Sequence, residues 1–148
     1  MSGAKTSQYF SSVAVAAPCA RNPVTLECTD EMSEKPYFDI TLDMMEKFGV
    51  NIKNRNYKSM TLPAGIKYQG REITIEGDYS SASYFFIAAA VTGSTITIRG
   101  LNPDSSQGDR KIITYMKNMG CRIEERAGAL RVTGGKLSAC DEDLFDTP

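Results

Sequence analysis

Hydrophobic and polar positions recur along this chain with two different periods. Residues 7–20 place Phe10, Val13, Ala14 and Ala17 three and four positions apart, the stripe of an amphipathic helix, with Thr6 at its N-cap. Beyond Pro23, residues 24–28 alternate as a half-buried strand does. Pro36 opens a second helix whose apolar positions are Ile40, Leu42, Met44, Met45 and Phe48, and Gly49 stands where a helix ends. Short strands are expected at 50–53 and 57–62, a turn at Pro63 and Gly65, and a further strand at 72–76.

The chain then starts again. Ser83, Tyr84, Phe85 and the alanines through Ala90 echo Ser7, Gln8, Tyr9, Phe10 and the alanines through Ala17. The strand expected at 95–98 follows that helix as the strand at 24–26 follows the first. The end of the second helix recurs most clearly: Met45, Glu46, Lys47, Phe48, Gly49, Val50, Asn51, Ile52 becomes Met116, Lys117, Asn118, Met119, Gly120, Cys121, Arg122, Ile123. The offset from Met45 to Met116, 71 residues, is too long for a solenoid repeat and suits a duplicated subdomain. The expected fold is therefore α+β, with helix, strand, helix, strand, strand given twice. The domain reading is a first subdomain at 1–66, a connecting or crossover strand at 67–78, and a second subdomain at 79–148, with few contacts between residues 1–62 and 78–148.

Composition narrows the function more than the fold. Seventeen basic against 18 acidic residues leave a net charge of -1, without the basic excess that nucleic acid or an anionic membrane surface attracts. The longest apolar run, 84–91, is far below the roughly 20 residues that span a bilayer. Residues 1–9 carry a single lysine and lack the basic, apolar, cleavage-site order of a secretory leader, so a cytoplasmic protein is expected. Cys19, Cys28, Cys121 and Cys140 have no paired two-residue spacing and read as reduced, mostly buried thiols rather than metal ligands. Histidine is absent, which removes the commonest general base and the commonest transition-metal ligand.

Three loops concentrate small polar residues where a helix begins. The first joins Gly3, Lys5, Thr6, Ser7 and Gln8, where hydroxyls and an amide meet a positive helix end. The second is Glu76, Gly77, Asp78, Tyr79, Ser80 and Ser81, and the third is Ser105, Ser106, Gln107, Gly108 and Asp109. On spacing alone, Thr6 and Asp78 are more simply helix caps than parts of a site.

A family resemblance ties the three together. Thr6, Ser7, Gln8 and Tyr9 with the following alanine-rich helix are similar to the Ser-Ser-Gln segment of 5-enolpyruvylshikimate-3-phosphate synthases. Lys35, Pro36, Tyr37, Phe38, Asp39, Ile40, Thr41 and Leu42 resemble that family's Lys-Pro-Tyr-Ile-Asp-Ile-Thr-Leu segment. The run from Glu76 to Tyr84 resembles its Glu-Gly-Asp-Ala-Ser-Ser-Ala-Ser-Tyr run, and Gln107, Gly108 and Asp109 its Gln-Gly-Asp turn.

The resemblance implies transfer of the enolpyruvyl group of phosphoenolpyruvate to the 5-hydroxyl of shikimate 3-phosphate, releasing phosphate, in aromatic amino acid biosynthesis. It implies neither metal nor organic cofactor. It also implies a two-lobed, inside-out α/β barrel-like fold with three α+β subdomains per lobe and substrates in the cleft between lobes. Substrate-binding roles fall to Thr6, Ser7, Gln8, Ser33 and Tyr37, and hinge or cleft roles to Glu76 and Asp78. Thr6 keeps the hydroxyl of the family's serine and adds a methyl group. Glu34 stands where the family usually has a phosphate-binding serine, and Ser33, one residue earlier, is the hydroxyl that would take its place.

No catalytic residue is expected within this chain. Residues 137–148 resemble the segment that leads directly to the family's catalytic aspartate, which would follow Pro148. The lysines and arginines that surround phosphoenolpyruvate belong to other parts of the family's chain, so this chain reads as an internal fragment needing the remainder of the enzyme. Two alternatives stay open: a stand-alone anion-binding or interaction module that kept the fold, and the related UDP-N-acetylglucosamine enolpyruvyl transferase, which residues 35–42 argue against.

Overall fold

Lys35 and Pro36 begin a helix that runs until Gly49 turns the backbone into the left-handed region at φ 87°. Proline suits a first helical turn because its missing N–H has no partner there anyway, and glycine accepts positive φ at no steric cost. The same rules set the remaining elements. In the computed structural model, which describes residues 1–126 and 128–147, the chain divides into two compact units, Met1–Ile73 and Thr74–Thr147.

The first unit runs α1 (Gln8–Ala16), β1 (Val24–Glu27), α2 (Lys35–Lys47), β2 (Lys53–Arg55) and β3 (Ser59–Leu62). Its three strands form an antiparallel sheet in the order β1-β3-β2. Met60 and Leu62 on the central strand face inward and pair with Leu26 and Val24 of β1, while Thr61 faces water, the period-two alternation of a half-buried sheet. Phe10 of α1 and Phe38 of α2 meet edge to face at 6.3 Å, both fully buried. Ala14, Met32, Met45 and Val50 complete the core around them.

The second unit repeats the order as α3 (Tyr79–Thr92), β4 (Thr95–Arg99), α4 (Ile112–Asn118), β5 (Arg122–Arg126) and β6 (Ala129–Thr133). Its sheet has the order β4-β6-β5, with Leu130 and Val132 of the central strand buried against Phe86, Ala89 and Met116. The internal repeat holds at atomic detail. Met45 and Met116 are both buried, Gly49 and Gly120 both adopt positive φ, and Val50 and Cys121 both return into a core. The amide of Val50 donates to the Met45 carbonyl at 2.8 Å, and that of Cys121 to the Met116 carbonyl at 2.9 Å.

Several expected boundaries move. The helix expected over 7–20 ends at Ala16 and tightens into a 3-10 turn, Ala17–Cys19, because Pro18 cannot extend α-helical hydrogen bonding. Ser7 precedes Gln8 already in helical conformation and makes no capping side-chain bond, while Thr6 Oγ1 accepts the Gln8 amide at 3.3 Å, the contact expected of a cap. The two strands expected at 50–53 and 57–62 shift to Lys53–Arg55 and Ser59–Leu62, joined by a turn whose central residues Asn56 and Tyr57 are both left-handed. Two consecutive positive φ values match the twist of a hairpin, and the turn is fastened by the Asn54 side chain on the Tyr57 amide and by the Tyr57 hydroxyl on Asp39.

The strand expected at 72–76 does not form, since no described strand lies beside it to satisfy its backbone, and Ile75 is exposed. Within the stretch read as a connector, Tyr68 donates to the Val15 carbonyl and Gln69 to the Phe48 carbonyl in the first unit. Gly77 donates to the Gly100 carbonyl in the second. The buried counterpart of Phe10 is Phe86 rather than Phe85, which is exposed. Cys28 and Cys121 are buried as expected, but Cys19 and Cys140 are exposed, and all four are free thiols. Pro148, the end of the expected second subdomain, lies outside the described residues. No described helix is long and apolar enough to cross a membrane.

Candidate functional site

Two hydrogen-bonded clusters gather the residues singled out in the sequence, one in each unit. In the first, the opening segment before α1 lies along the loop between β1 and α2. The Met1 amino group donates to the Glu27 carbonyl at 2.7 Å, the Thr29 amide donates to the Met1 carbonyl at 3.0 Å, and the Ser33 amide donates to the Gly3 carbonyl at 3.1 Å. Asp30 takes the Gly3 amide at 2.7 Å and the Ser2 hydroxyl. The Ser2 hydroxyl first, and the Gly3 amide next, hold the Asp30 carboxyl below the usual carboxylate range. Only glycine fits at position 3: a Cβ there would sit 2.7 Å from the Cys28 sulfur and 2.8 Å from the Met32 Cα.

This docking brings Thr6, Ser7 and Gln8 beside the start of α2, 27 or more residues away in sequence. Thr6 Oγ1 donates to Glu34 Oε2 at 2.9 Å and accepts from the Gln8 amide at 3.3 Å. Ser7 Oγ donates to the Glu34 carbonyl at 3.0 Å, and the Tyr37 amide donates to the same oxygen at 3.1 Å. Ser7 is fully buried, Thr6, Ser33 and Tyr37 are half-buried, and Gln8 is exposed. Ser33 turns toward the opening segment, its hydroxyl donating to the Gly3 and Ala4 carbonyls at 3.1 and 3.4 Å. The five residues read as a substrate-binding set therefore form one neighbourhood, with Glu34 at its middle.

Glu34 itself has φ 55° and ψ 38°, the left-handed conformation that side-chain-bearing residues seldom adopt. It fixes the geometry of this neighbourhood through both its carboxylate and its carbonyl. Asp30, which anchors the opening segment, was not legible as a partner of residues 2 and 3, because nothing local in the sequence pairs a strand end with a chain segment so far upstream.

The second cluster unites the other two polar loops. Asp78 caps α3, its carboxylate accepting the Ser80 amide at 3.0 Å, the Ser81 amide at 3.1 Å and the Ser81 hydroxyl. Gln107 is the organiser: its side-chain NH2 donates to Glu76 Oε1 at 2.8 Å and to the Gly77 carbonyl at 2.9 Å, and its side-chain oxygen accepts the Tyr79 amide at 2.8 Å. Ser105 adds a bond to Glu76, and Ser80 one to Asp109. Burial pushes the Tyr79 phenol up, and its hydroxyl donates to the Asn102 carbonyl at 3.0 Å. Glu76 and Asp78 are thus held by a defined network, which specifies the path of the chain into α3.

Asp78 gives a pH signature. The Ser81 hydroxyl is the largest influence and lowers its carboxyl; burial, next in size, opposes it, and the Ser81 and Ser80 amides lower it further, leaving it below the ordinary value. A carboxyl with a depressed folded-state value stabilises the fold in full above its unfolded value of about 3.9, and that contribution is lost as pH falls through the lower folded value. Asp78→Ser, which keeps a capping oxygen without the charge, is expected to flatten the acid limb of the unfolding curve of the second unit below about pH 4. Circular dichroism at stepped pH checks this, and identical acid limbs for both proteins would rule it out.

A family model described as EPSP synthase (3-phosphoshikimate 1-carboxyvinyltransferase) matches residues 1–148. Among curated relatives, a 3-phosphoshikimate 1-carboxyvinyltransferase of Methanosphaerula palustris is 42% identical over 149 residues, covering 100% of this chain and 35% of the relative. The enzyme of the same description from Methanoculleus marisnigri is 38% identical over 147 residues, covering 99% of this chain and 35% of the relative. The solved EPSP synthase of Acinetobacter baumannii superposes with a TM-score of 0.68 at 23% identity, covering 95% of this chain and 32% of that chain, a likeness of fold. The chain spans about a third of the length of the relatives it matches. With the family model matched from end to end, this chain belongs to the EPSP synthase (3-phosphoshikimate 1-carboxyvinyltransferase) family.

Proposed function

We propose that this chain supplies part of the substrate site of an enzyme that moves the enolpyruvyl group of phosphoenolpyruvate onto the 5-hydroxyl of shikimate 3-phosphate and releases phosphate. In this reading Thr6, Ser7, Gln8, Ser33 and Tyr37 contact shikimate 3-phosphate, and Glu76 and Asp78 define the chain path at the hinge. Each unit stands as one α+β subdomain of an inside-out barrel-like fold, and the enzyme acts in the cytoplasm. Groups that activate the 5-hydroxyl and surround phosphoenolpyruvate come from the rest of the enzyme chain, so the 148-residue chain alone binds but does not turn over.

The observation that supports this best is the convergence of the Thr6–Gln8 helix start with the Ser33–Tyr37 turn, joined through the Glu34 carbonyl. Neutral donors at the positive end of a helix suit an anionic ester, because they stabilise its charge without burying a second full charge. The test is a titration of the chain with shikimate 3-phosphate and, separately, with unphosphorylated shikimate, following backbone amide resonances. Saturable shifts at Thr6, Ser7 and Gln8 with the phosphate ester, and much weaker ones with shikimate, are expected. Uniform or absent responses would sink the assignment of this helix start. In a phosphate-release assay with both substrates the chain alone is expected to show no turnover above background, and release at about 1 per second or faster would refute incompleteness.

A second reading, a binding module that kept the fold without the reaction, draws on Glu34, whose carboxylate sits among the hydroxyls an anion would use. Adding inorganic phosphate as a third ligand in that titration separates the two readings, since such a module has no preference for shikimate 3-phosphate over inorganic phosphate.

A further inference from the structure

We propose that Glu34 is a tethered internal occupant of the hydroxyl cradle at the start of α1, an autoinhibitory carboxylate that an incoming phosphate ester has to displace. The proposal rests on the reading of Thr6, Ser7 and Gln8 as the anion-holding segment, and it concerns how that segment is regulated.

One residue engages both hydroxyls of the cradle. Thr6 Oγ1 gives its proton to the Glu34 carboxylate at 2.9 Å, and Ser7 Oγ gives its proton to the Glu34 carbonyl at 3.0 Å. A hydroxyl has a single proton to donate, so a proton given to Glu34 is not available to a ligand oxygen. The two contacts differ in kind. The Ser7 bond goes to a backbone oxygen in a fully buried place that also receives the Tyr37 amide, and it moves only if the loop moves. The Thr6 bond goes to the end of a half-buried side chain that rotates about its own torsions, so it can open while the backbone stays in place.

Charge sharpens the competition. A carboxylate and a phosphate dianion cannot share one donor set without strong repulsion. Lys35, the adjacent cation in sequence, reaches back to Glu31 at 3.2 Å. The left-handed backbone at Glu34 holds the residue in this position at a conformational cost that the Thr6 and Ser7 bonds offset. Binding of a dianion is therefore coupled to an outward swing of the Glu34 side chain, and the free protein keeps the cradle closed with its own anion.

Two substitutions in the full 148-residue chain test this against shikimate 3-phosphate, with shikimate, which lacks the phosphate, as the control. Glu34→Gln keeps an oxygen acceptor for Thr6 and removes the charge. Glu34→Gly removes both and suits the left-handed backbone. By calorimetry or amide shifts, the ester is expected to bind at least about tenfold more tightly to the Gln variant than to the parent, and more tightly still to the Gly variant, with shikimate binding unchanged. Binding to the parent with equal or weaker binding to both variants overturns the role of Glu34 and leaves the cradle intact. Failure of the parent and both variants to bind the ester, with native amide spectra, overturns the cradle and this proposal together.

Discussion

Phe38→Ala is expected to remove about 3–5 kcal/mol from the stability of the first unit. Phe38 is fully buried and meets the edge of Phe10 at 6.3 Å, so its loss forfeits its own transfer term, an aromatic pair and the packing of the cavity it leaves. A fall of that size is a large share of the 5–15 kcal/mol or so by which a domain is stable. It also has a local consequence. Phe38 is the residue that seats α2 against α1, four positions beyond Glu34 and one beyond Tyr37, so the turn that receives the Ser7 hydroxyl loses its support. Denaturant unfolding with amide exchange at Leu26 and Met60 measures the effect. A loss below about 1 kcal/mol would show that the two helices do not depend on this pair.

Gly134→Ala is expected to cost about 3 kcal/mol in the second unit, although it adds a single methyl group. A Cβ at Gly134 would lie 2.4 Å from the Ala89 carbonyl oxygen, 2.8 Å from the Gly93 Cα and 2.9 Å from the Ala90 carbonyl oxygen. All three are backbone atoms of the last turn of α3 and of Gly93, which caps it, and they cannot rotate aside as a side chain would. The Gly134 amide meanwhile donates to the Ser94 carbonyl at 2.8 Å, so the chain leaving β6 is fixed against that turn. Gly93→Ala is the control. Gly93 ends α3 at φ 65° with nothing near its absent Cβ, so alanine there meets only the left-handed backbone cost of about 1 kcal/mol. Equal losses for the two variants, read by thermal unfolding, would mean that contact with α3 does not set the requirement at position 134.

Both residues illustrate how the repeat is used. Gly49 and Gly120 close equivalent helices, and Met45 and Met116 bury equivalent side chains, yet the first helices of the two units differ in character. α1 exposes Tyr9 and Val15, whereas α3, polar at Ser80, Ser81 and Ser83, is apolar from Tyr84 to Val91 and exposes Tyr84, Phe85, Ile87 and Val91 in addition to burying Phe86 and Ala90.

The polar loops show where a sequence reading stops. Asp78 was legible as a cap because capping is local: its carboxylate reaches amides two and three residues ahead. That Gln107 would hold Glu76, Gly77 and Tyr79 at once was not, because those bonds cross about 30 residues and depend on how the loop after β4 returns to the start of α3. Likewise, Glu34 stood out in the sequence as a carboxylate where the family usually has a phosphate-binding serine, but its bonds to Thr6 and Ser7 required the opening segment to lie along residues 28–34.

By itself the order of residues determined the element types, the duplication, the paired glycine stops and the family, since periodicity, proline and glycine act over a few neighbouring positions. Tertiary structure alone decided that residues 72–76 form no strand, that Phe86 rather than Phe85 enters the core, and that Ser7 is buried with its hydroxyl already given away. The physical reason is the same in each case. A strand needs a neighbour for its backbone, a side chain needs a facing surface to be buried, and a hydroxyl's single proton goes to whichever acceptor the fold delivers.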